Sequence, residues 1–405
     1  MTPVPASTRP DVLFLAPHPF YQERGTPMAV DLLLGVLARR GLRTIVVTFA
    51  EGQDKVYPRT TVHRIPALPW AGKGVPPGFS LKKLVCDVFL FCKALGIVVR
   101  RRPRLVHAVE ESVFMALFFR ILFNIPYVYD MDSSMSVQIL HKLPVLKPLG
   151  PFFRWCEGVA LRRALVVIPV CAALADIARL AGARQIHVLT DVSMAEAGAA
   201  GESAPDLRAK YGIQGVCCMY IGNLEPYQGI DLLLAAAALA LKTVPELRLV
   251  IVGGTTESIA AYQSRARNLG IAEQTHFTGP LPVSMMHALF SQADVLVSPR
   301  IKGENTPMKI YSYLDSGRPI LATDLPTHTQ VLTSEIAQLV RPEARSMAEG
   351  MVRLAASPEL REQLALAARE LARSEYTPEV FERRVNVIYD HLLTQVEQQA
   401  GRKRA

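Results

Sequence analysis

Arg300, Glu304 and Lys309 stand close together within residues 298–319, and Ser312 follows a turn later. This stretch reads as a strand end, a polar loop, a short helix and a stop. Asn305 or Thr306 is suited to cap the helix, because their side-chain oxygens accept from the free N–H groups of a first turn. Pro307 suits the first helical position, and Gly317 suits the left-handed residue just past the end. A helix start running from Asn305 through Met308 presents unpaired amides and a partial positive charge, which attract phosphate. Lys309 in the first turn and Arg300 upstream add full charges. A carboxylate such as Glu304 beside a phosphate cradle is costly unless hydroxyls or cations engage it. Cations, amides and one acid together suit a sugar phosphate or a nucleotide sugar.

The hydrophobic pattern supplies the elements that would position these residues. Residues 12–16 read as a buried strand, 27–40 as a helix with one apolar face and 44–49 as the next strand. Such a unit implies a parallel sheet with a right-handed crossover. Residues 105–109, 127–129 and 165–168 continue it. A second series starts near residue 216, with strands at 216–221, 247–252, 275–278, 295–297 and 320–322 and a helix at 231–242. Residues 195–205, rich in Gly, Ala and Ser, read as a hinge. The expectation is an α/β fold of two domains, residues 1–195 and 206–375, with parallel sheets across a cleft. The helical segment 376–405 returns to the first domain. Ligands of such sheets lie at the carboxyl ends of the strands.

In layout the chain resembles the retaining glycosyltransferases of the large family 4, which join two Rossmann-like domains in the GT-B arrangement. That family carries a Glu, seven residues, a second Glu and then Gly-x-Pro. Here Glu304 is followed at that spacing by Ser312 and then by Gly317-Arg318-Pro319, so the first acid is kept and the second is not. The resemblance implies that Glu304 contacts the donor sugar and that position 312 faces the ribose. The family's loop after the first C-domain strand holds an Arg and a Lys that neutralise the donor diphosphate. This chain keeps the frame of glycines, Gly222 and Gly229, but has Asn223 and Gln228 at those positions. The charge is expected from elsewhere, with Lys309, Arg300, Lys302 and Arg24 as candidates. In the first domain, Arg24, Gly25 and Thr26 take the place of the family's glycine-rich loop, and Gly25 is suited to a positive φ. Where family members carry a His-x-His-Glu type motif, His107 matches the first His, Val109 replaces the second and Glu110 matches the acid. Glu110 is therefore assigned to the cleft and His107 to the core or the layer behind the site. Asp130 lies in an oxygen-rich strand end expected to line the acceptor cleft. The resemblance implies no metal, and no cofactor is expected.

Glu304, Lys309 and Glu110 are thus expected to be catalytic. Gly222, Asn223, Gln228, Arg300, Asn305, Thr306, Pro307, Met308 and Ser312 bind the donor, and Arg24, Gly25, Thr26 and Asp130 serve the acceptor or phosphate loop. The reading is a transferase moving a sugar from a nucleotide sugar to a lipid-linked or glycan acceptor. Its alternative is a non-catalytic sugar-nucleotide or glycan-binding relative. A dehydrogenase is disfavoured, since neither loop has Gly-x-Gly-x-x-Gly spacing.

Half the 405 residues are hydrophobic and 20% are charged, so there is ample core. The six cysteines show no metal-ligand spacing and fit a reducing cytosol. No leader is read at the start, so a cytoplasmic protein is expected. The net charge of +9 is uneven: residues 1–200 hold 24 Lys+Arg against 14 Asp+Glu. No zinc-finger, RRM or helix-turn-helix pattern accompanies it, so nucleic acid is not the expected partner. Residues 86–99 are apolar but interrupted by Asp87 and Lys93, and they are shorter than a membrane span requires. Flanked by Lys82, Lys83 and the arginines of 100–104, they suit either a buried domain helix with basic ends or the surface of an anionic membrane, on its inner face.

Overall fold

Most strands of this chain are buried at every position, as strands are when helices cover both faces of a parallel sheet. The computed structural model describes residues 9–23, 25–68, 80–193 and 204–401. The described residues up to Thr190, with those from Glu382 onward, form one compact unit. Its strands are β1 (Val12–Ala16), β2 (Thr44–Thr48), β3 (Thr60–Arg64), β4 (Leu105–Val109), β5 (Tyr127–Met131) and β6 (Val166–Pro169). They pair in parallel in the order β3-β2-β1-β4-β5-β6.

The second unit, from Asp191 to Phe381, repeats the plan. Its strands are β7 (Cys217–Ile221), β8 (Arg248–Val252), β9 (Thr275–Gly279), β10 (Val295–Ser298), β11 (Ile320–Thr323) and β12 (Gln338–Val340). The order is β12-β11-β10-β7-β8-β9, again all parallel. Period-two alternation sends Cys218, Tyr220, Ile251 and Val297 to one core and Cys217, Met219, Val250 and Leu296 to the other. Each sheet begins at its middle and winds outward in both directions. The order therefore reverses between β1 and β4, and between β7 and β10. In doubly wound sheets the ligand crevice opens at that reversal, outside the carboxyl ends.

The last helix, Pro378–Gly401, packs its later residues on the first unit. Arg39 bridges both oxygens of Glu382 at 3.0 and 2.8 Å, and the Tyr389 hydroxyl meets His107 Nδ1 at 2.8 Å. Two strands had no counterpart in the sequence reading. β3 (Thr-Thr-Val-His-Arg) is polar and only half-buried at a sheet edge, and β12 has three residues, so neither gives a periodic signal. Arg24 and residues 195–203 of the expected hinge lie outside the described residues.

Gly25 corrects an expectation: it opens the helix Gly25–Arg39 without a positive φ, and a Cβ there would meet nothing within 4 Å. Gly229 is the opposite case. Its φ is +76°, and an added Cβ would lie 2.0 Å from the carbonyl oxygen of Pro299, where the loop after β7 touches the chain after β10. We expect Gly229→Ala to cost about 2–4 kcal/mol. Gly25→Ala should leave stability unchanged or raise it by up to about 1 kcal/mol. Thermal unfolding of the two variants measures both, and equal midpoints would contradict the assignment.

Candidate functional site

The reversal between β7 and β10 gathers the charged residues of the second unit. The chain leaves β7 through Gly222, Asn223 and Gln228, and leaves β10 through Arg300 and Glu304 toward the helix Lys309–Asp315. That helix is locked in place because Ile310, Tyr313 and Leu314 are fully buried and the Ile221 N–H donates to the Tyr313 hydroxyl at 3.0 Å. Lys309, its first residue, is thereby held beside the end of β7.

Lys309 Nζ donates to Gln228 Oε1 at 3.3 Å and lies 3.9 Å from the centre of the Tyr220 ring. The Tyr220 hydroxyl donates to the Asn223 carbonyl at 2.6 Å, which sets the ring as a floor. Gly222, at φ +150°, leaves the space above: a Cβ there would be 2.9 Å from the Tyr220 hydroxyl oxygen and 3.4 Å from Lys309 Nζ. Arg300 is 8% exposed. Its guanidinium lies 5.2 Å from the Tyr227 ring centre and donates to the Lys302 carbonyl and to Asn305 Oδ1, at 2.7 and 3.1 Å. Among the described residues, no carboxylate lies within ion-pair distance of Lys309 or Arg300.

The electrostatics follow from that imbalance. Burial first, and then the charge of Arg300, holds the Lys309 ammonium well below the usual Lys range. Arg300 is lowered by burial, which the facing Tyr227 and Tyr220 oppose. His328, behind the site, is lowered to about 3, chiefly by burial and further by Lys309 and Arg300, while its bond to Thr323 works the other way. It stays neutral and bridges Thr323 O at 2.9 Å and Ser298 Oγ at 2.9 Å, so Nδ1 donates and Nε2 accepts. The cluster therefore has the field of an anion site.

The loop between β10 and the helix is pinned from the far side. The Thr323 hydroxyl donates to the Arg300 carbonyl at 2.5 Å, the Thr327 hydroxyl to the Asn305 carbonyl at 2.7 Å and Gln330 Nε2 to the Glu304 carbonyl at 2.7 Å. Glu304 is exposed on this fixed loop, and Ser312 is buried.

Two expectations change. The helix begins at Lys309, two residues later than Pro307, and Met308 takes the cap position with no side-chain cap. Pro307 and Met308 form a turn that leads in, their carbonyls accepting from Ile310 and Tyr311. Asn305 cannot cap because its side-chain oxygen serves Arg300, and the buried Thr306 hydroxyl has no hydrogen-bond partner among the described residues. Asn223 follows ordinary loop chemistry, its Oδ1 accepting from the Glu225 N–H at 3.3 Å. Tyr220 and Tyr227 were missed in the sequence. Their signal was an aromatic with a polar tip on each side of Gly222 and beside the expected cations.

In the first unit the reversal between β1 and β4 holds an acidic cluster. Glu110 leaves β4 at φ +48°, a left-handed conformation uncommon for a residue with a side chain. It lies 3.6 Å from Lys83 Nζ and accepts from Ser133 Oγ at 3.3 Å. Glu111 pairs with the same ammonium at 2.6 Å. Burial, then Glu111, raises Asp87 to about 8, and burial also raises Glu111 to about 7. Burial works against the charge on Lys83, but Glu110 and Glu111 outweigh it and hold it above the usual Lys range.

His107 is fully buried in β4, stacked on Phe14 at 4.4 Å and paired through Nε2 with Asp130 at 3.1 Å. Asp130 thus sits inside β5, where it orients a core histidine, rather than in the loop that follows. Thr26 and Gly25 lie in the first turn of the helix after β1.

Two family models match the chain: "Glycosyl transferase 4-like domain" over residues 24–190 and "Glycosyl transferases group 1" over residues 206–371. A phosphatidyl-myo-inositol mannosyltransferase of Mycobacterium leprae is 30% identical over 174 residues, covering 42% of this chain and 45% of that protein. The match thus spans about half of that relative's length. Sucrose-phosphate synthase from Thermosynechococcus elongatus shares the fold with a TM-score of 0.78, at 19% identity over 96% of this chain and all of that one. The Anabaena protein HepE, solved with UDP-glucose, shares it with a TM-score of 0.71, at 16% identity over 94% of this chain and 99% of that one. The chain belongs to the family 4 glycosyltransferases of the GT-B type, as a divergent member.

A cation whose pKa is lowered by burial has it raised again when an anion binds beside it. Affinity for a nucleoside diphosphate should therefore fall as pH rises through the lowered pKa of Lys309, and binding should take up protons. Calorimetry with UDP in buffers of different ionisation enthalpy measures the uptake. Lys309→Met should abolish it and weaken binding about tenfold or more. The same uptake and affinity in the variant would contradict the role.

Proposed function

We propose that this protein transfers a sugar from a nucleotide-sugar donor to an acceptor with retention of the anomeric configuration. The observation that carries the reading is the pair of a half-buried Lys309 and a buried Arg300 at the reversal of the second sheet, without a counter-charge among the described residues. An approaching phosphate forms close ion pairs there, each worth roughly 4 kcal/mol before desolvation at an effective dielectric near 20. Two such pairs offset the charges that Asn223 and Gln228 do not supply. Gln228 takes part indirectly, by aiming Lys309.

Lys309, Arg300 and the backbone from Asn305 through Met308 stabilise the diphosphate as it leaves, which is preorganised electrostatic stabilisation. Glu304 accepts from the hydroxyls of the donor sugar, and Ser312 takes the ribose side. Gly222 lets the diphosphate approach over Tyr220. The acceptor attacks from the face that the leaving group vacates, and the leaving phosphate helps to take its proton, so no strong protein base is needed at that point. HepE supports a UDP-sugar as the donor class through its UDP-glucose complex. On the acceptor side, Glu110, Asp130, Thr26 and Gly25 of the first unit, with Arg24, serve a glycan or lipid-linked hydroxyl, and the enzyme acts from the cytoplasm.

The test is turnover of a panel of UDP-, GDP- and ADP-sugars with lipid-linked and free glycan acceptors, the product anomer being read by NMR. Retention in the product is expected. Glu304→Gln should lower turnover about a hundredfold or more with an unchanged melting temperature. Turnover equal to that of the parent would discard the role of Glu304. Tight UDP binding with no transfer across the panel would leave a non-catalytic binding protein.

A further inference from the structure

Among the described residues, 13 of the 22 exposed large hydrophobic side chains fall between Leu81 and Trp155. They follow the helices. The helix Leu81–Arg101 turns Cys86, Leu90, Ala94 and Val98 into the core. Its opposite row, Leu84, Val88, Cys92 and Val99, is exposed at helical spacing. On the helix Val113–Phe123, Phe114, Phe118, Ile121 and Leu122 form a second outward row, while Ala116 and Phe119 are buried. Phe91 joins the two helices through an edge contact with Phe118 at 5.2 Å. On the third helix, Gly150–Arg163, Phe152 and Trp155 stack on each other at 6.3 Å, and both are more than half exposed. Leu90, Ala116 and Ala160 belong to one core, so the three helices form a single layer on one face of the first sheet.

Charge distinguishes this layer from an ordinary apolar surface. Between residues 80 and 165 every Asp and Glu is buried or half-buried. Over the same span Arg100, Arg101, Arg102, Lys147, Arg154 and Arg163 are exposed, with Lys142 and Arg162 besides. Aliphatic and aromatic rows flanked by cations, with no exposed acid, match the region where headgroups meet acyl chains. No helix among the described residues is long and apolar enough to cross a membrane. A protein partner fits less well, because protein interfaces are depleted of Lys at their core and usually meet charges of both signs.

We propose that this three-helix layer docks on the surface of a bilayer carrying anionic lipids. The rows around Phe118 and Trp155 enter the headgroup boundary while the flanking arginines and lysines meet lipid phosphates. The inference stands on the outer surface of the first unit alone and holds whether or not the donor reading does.

Flotation of the full chain tests it, using phosphatidylcholine vesicles with about 30 mol % phosphatidylglycerol beside phosphatidylcholine alone. Most of the protein should float with the anionic vesicles. About tenfold less should float with neutral vesicles or in about 0.5 M salt. Phe152→Ser with Trp155→Ser, and separately Arg154→Glu with Arg162→Glu and Arg163→Glu, should each lower partitioning about tenfold at an unchanged melting temperature. In a Trp70→Phe background the emission of Trp155 should shift to the blue on the anionic vesicles. Three results would overturn the proposal: no flotation with anionic vesicles, equal flotation of parent and both variants, or a lipid-free dimer by light scattering that Trp155→Ser dissociates. The last would identify the face as a protein interface.

Discussion

The withdrawal of the Lys309 ammonium from water, with no paired carboxylate among the described residues, governs the second unit. Taking Lys309 out of water suppresses its charge unless something compensates. The fold supplies only partial compensation, a neutral amide oxygen from Gln228 and the face of Tyr220. The surrounding residues are constrained accordingly. Position 222 favours glycine because its φ is +150° and a Cβ would press on the Tyr220 hydroxyl at 2.9 Å. Asn305 is committed to Arg300, so it is not available to the helix. The helix that carries Lys309 has seven residues and no side-chain cap, so side-chain cations rather than its dipole supply most of the attraction for an anion.

Much of this was legible in the sequence, for identifiable reasons. The strand Val12–Ala16 is a continuous apolar run and Leu105–Val109 one broken by His107, and their bounds match the sequence reading. The strand Thr60–Arg64 escaped notice because an edge strand exposes its polar face, which leaves no period to count. At the site, the types of Arg300, Glu304 and Lys309 were legible but the helix start was not. The cap signals of Asn305 and Thr306 are sound locally, and a tertiary contact from Arg300 overrides them. The shift of charge from the loop after β7 to Lys309 was readable as a deficit at Asn223 and Gln228. That Gln228 would be the residue holding the lysine depends on the neighbouring of β7 and β10, which only the sheet order reveals.

The first unit arranges its charges differently. Between residues 80 and 165 its acids are drawn inward, as with Glu110 and Glu111 around Lys83 and with Glu157 accepting from Ser134, Ser136 and the Met135 N–H. Most of the cations of that span are left outside. The basic balance of the first 200 residues is therefore a surface property of a helical layer rather than a property of the interior of the sheet. Glu110, held at a left-handed φ between Lys83 and Ser133, is the acid best placed at the strand reversal of this unit.

The most direct test of the central claim is a crystal structure of the protein with UDP bound. The account predicts a diphosphate at the carboxyl ends of β7 and β10, with phosphate oxygens about 3 Å from Lys309 Nζ and within reach of the Arg300 guanidinium. A nucleotide bound elsewhere, with the Lys309 ammonium still covered by Gln228 and Tyr220, would contradict it.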